Sequence, residues 1–305
     1  MLKGKNIAIT GGSGFIGRHL IREISHHQPK GIFNFDISCG IDLTSYSELR
    51  VALVYRKIDI VFHLATLPLP LSLVNPYKVL YTIPLMSQNL CELCRLGFYK
   101  TLIQISSSEA YGSAIYVPMN EKHPLNPITP YAAAKASADL ILLSYFQTFS
   151  IDARIVRCFN TYGEEQPISL GAIIPKTIVT ILKGNRPEIY GNGNQTRDFT
   201  YVGDIVKGII KVYEFPSTRG KVINIASGKE TTINELVRKI CDILKSKKRI
   251  KYIGKRIADV ERHFADISVA KKLGYSPSIS LDEGLKRTIK YYVDNLSFIE
   301  DIRPL

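Results

Sequence analysis

The stretch from Asn6 to Gly17 constrains the fold more than any other part of this chain. Asn6-Ile7-Ala8-Ile9-Thr10 is short and apolar, the pattern of a buried strand. It runs into Gly11-Gly12-Ser13-Gly14-Phe15-Ile16-Gly17, and the helical pattern Arg18-His19-Leu20-Ile21-Arg22-Glu23-Ile24 follows. Strand, glycine turn and helix in this order suit a bound pyrophosphate. Gly11 permits the tight turn, Gly14 lets the backbone approach the anion, and Gly17 lets helix and strand pack closely. The helix N-terminus then aims its free N–H groups at the charge. Gly31-Ile32-Phe33-Asn34-Phe35-Asp36 reads as a second strand ending in an acid, about twenty residues on. Asp36 accepts hydrogen bonds from an adenosine ribose and repels a 2′-phosphate, so the expected cofactor is NAD rather than NADP.

Strand-like runs at 6–10, 32–36, 59–64, 101–106, 152–157 and 221–226 alternate with helical patterns. That alternation predicts an α/β fold with a doubly wound parallel sheet covered on both faces. Ligands of such sheets bind at the C-terminal ends of the strands, where Thr10, Asp36, Ala65, Ser107 and Asn160 all fall. After Gly163 the pattern turns to shorter mixed elements, with Pro, Gly and aromatic residues around 187–201. The expected organisation is a nucleotide-binding domain over 1–165 and a smaller mixed α/β substrate lobe over 166–305. Segments near 199–226 are expected to return to the first, because Val222-Ile223-Asn224-Ile225-Ala226 fits the sheet or its edge.

Ser106-Ser107-Ser108-Glu109-Ala110-Tyr111-Gly112 and Tyr131-Ala132-Ala133-Ala134-Lys135 carry the chemistry. On a helix, Tyr131 and Lys135 lie one turn apart on one face. An ammonium beside a phenol favours the phenolate and lowers the tyrosine pKa, which makes a base able to work near neutral pH. Ser107 or Ser108 supplies a hydroxyl that shares a proton with a substrate oxygen.

Together these segments resemble the extended short-chain dehydrogenase/reductase family, the NAD-dependent epimerases and dehydratases of nucleotide sugars. The resemblance runs almost end to end. Asp59-Ile60-Val61-Phe62-His63-Leu64-Ala65 resembles the family's fourth strand, and Arg157-Cys158-Phe159-Asn160-Thr161-Tyr162-Gly163 the strand after the catalytic helix. The run from Gly191 to Asp204 resembles the segment that holds a nucleotide diphosphate. Arg256 with Asp259-Val260, then Ala265-Asp266-Ile267, resembles the closing pattern. The resemblance implies a Rossmann-type sheet, with Phe15, Ile16, Asp42, Leu43, Leu64, Ala65, Thr66 and Phe159 joining Gly11, Gly14, Asp36, Tyr131 and Lys135 around NAD. It also implies a nucleotide-diphosphate sugar held by Asn160, Ile174, Tyr190, Arg197, Arg256 and Asp259. Guanidinium forks suit a diphosphate. The helices at about 76–96 and 130–149 often pair two subunits in this family, so a homodimer is expected. Leu85, Leu90, Leu140, Leu143 and Phe146 are apolar beyond one inward face.

The implied first step leaves a 4-keto sugar. Tyr131 takes the proton of a sugar hydroxyl, Ser107 shares the hydrogen bond to the reacting oxygen, and Lys135 lowers the tyrosine pKa and holds the nicotinamide ribose. Glu109 discriminates between the possible second steps. Simple 4-epimerases, the first expectation here with a UDP-sugar, need no second acid or base. Ser107-Ser108-Glu109 instead resembles the loop of GDP-mannose dehydratases and UDP-glucuronate decarboxylases, where a carboxylate removes the C5 proton. Glu109 is either that base or an anchor of its own loop. Gly171-Ala172-Ile173-Ile174-Pro175 and Val260-Glu261-Arg262-His263-Phe264-Ala265-Asp266 lean to the epimerases. The chain departs from the family at Ile83, usually asparagine, at Met86-Ser87, at Ala134, and at Glu164-Glu165, where a proline is usual. A 4-ketoreductase using the same site is an alternative. So is a non-enzymatic RNA-binding relative, which would be expected to lose Tyr131 or Lys135.

The net charge of +13 owes much to Lys245-Ser246-Lys247-Lys248-Arg249-Ile250-Lys251. This run reads as a solvated connection from a helix to a strand rather than a nucleic-acid surface. The five cysteines, Cys39, Cys91, Cys94, Cys158 and Cys241, are odd in number and scattered, which argues against a disulfide framework. Cys91-Glu92-Leu93-Cys94 lacks a second pair to complete a zinc site, so no metal is expected. His63 is read as packed beside the cofactor strand. His63, Pro68 and Pro70 interrupt the apolar stretch 58–74, so no membrane span is expected. No secretory h-region precedes the first strand, and the cytoplasm is the expected location.

Overall fold

A computed structural model describes residues 1–254 and 260–296. The first part of the chain forms β1 (Asn6–Thr10), α1 (Phe15–Ser25), β2 (Gly31–Phe35), α2 (Tyr46–Tyr55) and β3 (Ile60–His63). Next come α3 (Leu69–Val74), α4 (Pro76–Arg95), β4 (Thr101–Ser107), α5 (Pro130–Phe149) and β5 (Asp152–Cys158). The later elements are β6 (Thr161–Tyr162), α6 (Ile173–Leu182), β7 (Glu188–Tyr190), β8 (Thr196–Arg197), β9 (Thr200–Tyr201) and α7 (Val202–Glu214). The chain closes with β10 (Val222–Ile225), β11 (Thr231–Thr232), α8 (Ile233–Ile243), β12 (Lys251–Ile253), α9 (Ser268–Lys272) and α10 (Leu281–Asp294).

Six strands make one all-parallel sheet in the order β2-β1-β3-β4-β5-β10. The chain leaves β1 for β2 on one side and returns to β3 on the other. The switch point therefore lies between β1 and β3, where such sheets open a crevice. Alternation within each strand feeds two cores. Ile7, Ile9, Phe62, Ile103 and Ile105 face α1 and α7, packing with Leu20, Ile205 and Ile209. Ala8, Val61, Leu102 and Ile155 face the other way, against Leu53, Val79, Leu90 and Leu142 of α2, α4 and α5.

The segment 59–65 supplies β3, which pairs with β1 at the switch point. Only a short 3-10 turn, Ile37–Cys39, separates β2 from the approach to α2. Cys91 and Cys94 are buried in the core on α4. Leu90, expected beyond the inward face, is wholly buried there, whereas Leu140 is exposed.

A third core gathers Tyr162, Ile174, Ile178, Ile189, Phe199, Leu236, Ile240, Leu285 and Tyr292. It belongs to the C-terminal lobe, whose short strands pair as β6 with β9, β7 with β12 and β8 with β11. The chain does not stay in that lobe. β10 pairs with β5 in the main sheet, and Ala270 and Tyr275, in and just after α9, enter the first core. The lysine-rich run leads from α8 into β12. Among the described residues, no helix is long and apolar enough to cross a membrane.

Candidate active site

The glycine turn fits its place because side chains would not. Gly11 has φ +67°, in the left-handed region, and a Cβ there would lie 2.7 Å from the Ala65 nitrogen across the switch point. A Cβ at Gly17 would collide with the Gly11 carbonyl oxygen. Gly14 caps α1 without a side chain, and no acid stands in the first turn. The positive end of that helix is thus left for an anion. Asp36 ends β2 beside it. Its Oδ1 accepts from the Ser38 backbone N–H at 3.0 Å, and its Oδ2 accepts from the Ser13 N–H at 3.3 Å.

A buried polar chain holds the switch point together. Thr10 Oγ1 accepts from the N–H groups of Leu64 and Ala65, both at 3.1 Å. Its own hydrogen is then left for His63 Nδ1, 2.7 Å away, which puts the imidazole hydrogen on Nε2, toward Ser87 Oγ. Burial, and next the charge of Lys135, push His63 down to about 3, so the ring is neutral and structural. Ser87 thus finds a partner, and Ile83, where asparagine was usual, is buried in the core.

β4 delivers Ser107 to its C-terminal end, and a 3-10 turn over Ser108–Tyr111 begins there. Ser107 Oγ accepts from the Glu109 N–H at 3.2 Å, leaving its own hydrogen to donate. Thr129 caps α5 through the Ala132 N–H at 3.1 Å, with Pro130 at the first helical position. That start presents Tyr131 and Lys135 from one face of α5 toward β4. Burial pushes the Tyr131 phenol up, hydrogen bonds with Ser107 and Thr66 oppose the rise, and the Glu109 carboxylate adds to it. Lys135 Nζ donates to the Ile105 carbonyl at 3.2 Å, and burial pushes its ammonium down to about 8 against the pull of Asp139. Desolvation governs both groups, and hydrogen bonds with the hydroxyls of Ser107 and Thr66 favour the phenolate.

Sequence reasoning missed the support beneath these groups. Asp139, one turn beyond Lys135, is wholly buried. It accepts from Gln104 Nε2 at 3.0 Å, Ser106 Oγ at 2.9 Å and Arg157 Nε at 2.9 Å. The Arg157 guanidinium also lies 4.5 Å from the centre of the Tyr111 ring, whose hydroxyl donates to Asn224 on β10 at 2.8 Å. From the opposite side, His263 Nε2 donates to the Ser108 carbonyl at 3.1 Å. The available signal was Gln104 and Ser106 at a spacing of two in an otherwise apolar strand, facing an aspartate on the next helix.

A cavity of about 900 Å³ lies over the strand ends. Gly11, Gly14, Phe15, Ile16, Asp36, Asp42, Leu43, Leu64, Ala65, Thr66 and Phe159 line it, together with Ser107, Ser108, Glu109, Tyr131 and Lys135. A second cavity of about 280 Å³ opens toward the C-terminal lobe, lined by Ile174, Tyr190 and Arg197. Glu109, Asn160 and Thr161 wall both, so the two form one cleft. Arg197 Nη1 donates to the carbonyls of Thr196 and Val260, at 2.8 and 2.7 Å. Arg256 and Asp259 lie outside the described residues.

Residues 7–226 match the profile of the NAD dependent epimerase/dehydratase family. The chain belongs to that family. As an epimerase/dehydratase it is 31% identical to a putative UDP-glucose 4-epimerase of Methanocaldococcus jannaschii, over 95% of this chain and 99% of the relative. It is also 31% identical to UDP-glucuronic acid decarboxylase 1 of Danio rerio, over 94% of this chain and 72% of that protein. Its fold matches the structure of a UDP-N-acetylglucosamine 4-epimerase from Methanobrevibacter ruminantium, with TM-score 0.88 and 34% identity, over 96% of this chain and 99% of the other. The epimerase/dehydratase cofactor is NAD, and a glycine cradle that tolerates no Cβ, beside an uncapped helix start and an acid at the end of β2, fits that molecule.

Proposed function

We propose that this enzyme inverts C4 of a nucleotide-diphosphate sugar, a UDP-sugar by preference, through a transient 4-keto intermediate. The observation that carries the reading is the junction of the two cavities, where Glu109, Asn160 and Thr161 wall both, next to Ser107 and Tyr131. A sugar reaching from the smaller cavity would present its hydroxyl there. The relatives support the substrate class, since two of them are named as UDP-sugar 4-epimerases. Bound NAD would supply a reversible hydride acceptor for the sugar carbon. The remaining chemistry belongs to the chain. The N-terminus of α1 and Asp36 hold the pyrophosphate and the adenosine ribose. Ser107, its Oγ already an acceptor for Glu109, donates to the reacting oxygen or to Tyr131. Tyr131 takes the hydroxyl proton and gives it back. Lys135, wholly enclosed, supplies the nearby positive charge while protonated, below about pH 8. Asn160, Ile174, Tyr190 and Arg197 hold the nucleotide and diphosphate, with Arg256 and Asp259 assigned by resemblance.

A second reading rests on Glu109. Its presence in the walls of both cavities, and a decarboxylase among the relatives, favour a carboxylate that either removes the C5 proton and starts loss of water from C6, or returns a proton to C5 after the C5–C6 bond of a 4-keto uronic acid has released carbon dioxide. A deciding experiment incubates enzyme, NAD and a panel of nucleotide sugars in D2O, with products read by mass spectrometry and proton NMR. Unchanged mass, inverted C4 and no deuterium support the epimerase. Loss of water or carbon dioxide with deuterium gained overturns it in favour of Glu109 chemistry.

The exposed Tyr77, Leu80 and Tyr81 on α4 and Leu140 on α5 support a homodimer across these helices. Sedimentation at the monomer mass would refute it. The cytoplasm is the proposed location, in keeping with five free thiols, four of them buried.

A further inference from the structure

Glu164 and Glu165 stand where the family usually has a proline, and the proposed reaction gives them no role. They begin a segment, 164–172, that crosses the cleft. Pro167, Leu170 and Gly171 wall the large cavity opposite Phe15 and Ile16 of α1. Each glutamate is tied to a different lobe. Glu165 accepts from Arg18 Nε at 2.8 Å and from Arg22 Nη2 at 2.5 Å, and its carbonyl accepts from Arg18 Nη2 at 3.1 Å. The Glu164 carbonyl faces His19 Nε2 at 3.0 Å, and the Glu164 carboxylate accepts from Tyr201 of β9 at 2.8 Å. His19 packs edge-on against Phe15, so the strap reaches the cavity wall by a second route.

Glu165 holds this position with φ +62°, a left-handed conformation that a non-glycine residue adopts at a cost. Strain of this kind persists where the surroundings fix it, and here the exposed Arg18 and Arg22 and the half-buried His19 of α1 provide the grip. The next residue, Gln166, anchors the same end of the strap: its Nε2 donates to the Thr161 carbonyl at 3.1 Å and its own carbonyl accepts from Tyr292.

We propose that Glu165 is a positioning residue for the cofactor: with Arg18 and Arg22 it clasps the 164–172 strap across the NAD cavity and slows exit of the dinucleotide. This rests on NAD occupying the large cavity. It goes beyond the sugar chemistry, because a keto intermediate is stranded if the reduced cofactor leaves before hydride returns. Glu165 is 20% exposed and the two guanidiniums 44% and 55%, so the clasp is wet enough for salt to screen it.

The test is release of NADH from the loaded full-length enzyme into excess NAD, followed by NADH fluorescence, at low and high salt. Wild type is compared with Glu165→Gln, with Arg22→Gln, and with the exchanged pair Arg22→Glu plus Glu165→Arg. Release from Glu165→Gln is expected to be roughly threefold to tenfold faster at low salt, with Arg22→Gln in between. Salt should accelerate release from wild type and change the variants little. The exchanged pair regains the contact with position 22 but sets like charges against Arg18, so it should recover slow release only in part. A Glu165→Gln enzyme that folds and keeps both the wild-type rate and its salt dependence overturns the clasp. If that variant does not fold, unchanged release from Arg22→Gln, altered on an exposed helix face, overturns it equally. A wild type that binds no NADH at all would instead overturn the cofactor assignment on which the clasp rests.

Discussion

Lys135 is predicted to destabilise the protein that depends on it, and Lys135→Met is the perturbation that measures the cost. Nearly complete burial lowers its pKa from 10.5 to about 8, with Asp139 only partly opposing. That shift, at about 1.4 kcal/mol per unit, costs the folded state about 3 kcal/mol at neutral pH. Methionine removes the charge and keeps most of the volume, but it loses the hydrogen bond to the Ile105 carbonyl, worth about 1 kcal/mol. The net expectation is about 2 kcal/mol of added stability at pH 7, a Tm higher by about 4 °C for a chain of this size. The sign follows from protonation. Below pH 8 both folded and unfolded states carry the proton and the penalty is complete. Between 8 and 10.5 the folded state sheds its proton first, so wild type regains stability as pH rises. By pH 10.5 the advantage of methionine should vanish and turn slightly negative. Thermal unfolding of both proteins, stripped of NAD, at pH 7 and above pH 10 gives the result. A methionine variant less stable at pH 7, or a gap unchanged by pH, refutes the reasoning. Turnover should be lost even as stability rises, a trade of activity for stability.

Other outcomes rest on the same geometry. Tyr131→Phe should keep NAD binding by fluorescence titration yet lower kcat by roughly 10²- to 10⁴-fold, as expected for a missing acid–base group; retained turnover removes Tyr131 from its role. Asp139→Asn leaves the enclosed Arg157 guanidinium without its carboxylate, and urea unfolding should report a loss of about 3–5 kcal/mol. Gly17→Ala drives a methyl into the Gly11 carbonyl and should cost about 1–3 kcal/mol, with weaker NAD binding by calorimetry. Glu109→Gln should leave epimerisation within a fewfold of wild type by coupled assay, whereas elimination of dehydration or decarboxylation by that change would assign Glu109 as the base.

Much of the fold was legible because its signals are local. Six apolar runs marked the sheet, and Pro130 behind Thr129 marked the start of α5. The glycine spacing and the acid at 36 expressed backbone requirements that few other sequences satisfy. The hidden part depends on partners far apart in the chain. Nothing in Thr10 or His63 alone announces that they bond across the switch point, 53 residues apart. Asp139 looks like one more helix acid until β4 and β5 bring Gln104, Ser106 and Arg157 onto it. The local rule also carried no sign of how deeply Tyr131 and Lys135 are buried. Helical spacing predicts neighbours, but not the depth of burial, and here burial sets the sign of both shifts. Glu164-Glu165 was visible as a departure, though its partners on α1 were not.

The return of β10 to the sheet has a consequence for how such a chain diversifies. β10 covers the edge of β5, and Asn224 on it receives the Tyr111 hydroxyl from the serine loop. A fragment ending near residue 165 would leave the Asp152–Cys158 strand with a bare row of backbone N–H and C=O groups open to pairing with other chains. The two lobes are therefore not interchangeable cassettes. A hybrid made with one junction would separate the serine loop from the strand that steadies it, so recombination between relatives must splice at several seams at once. If the smaller cavity holds the sugar nucleotide as proposed, new specificities are more readily reached by point changes along it than by exchanging whole modules.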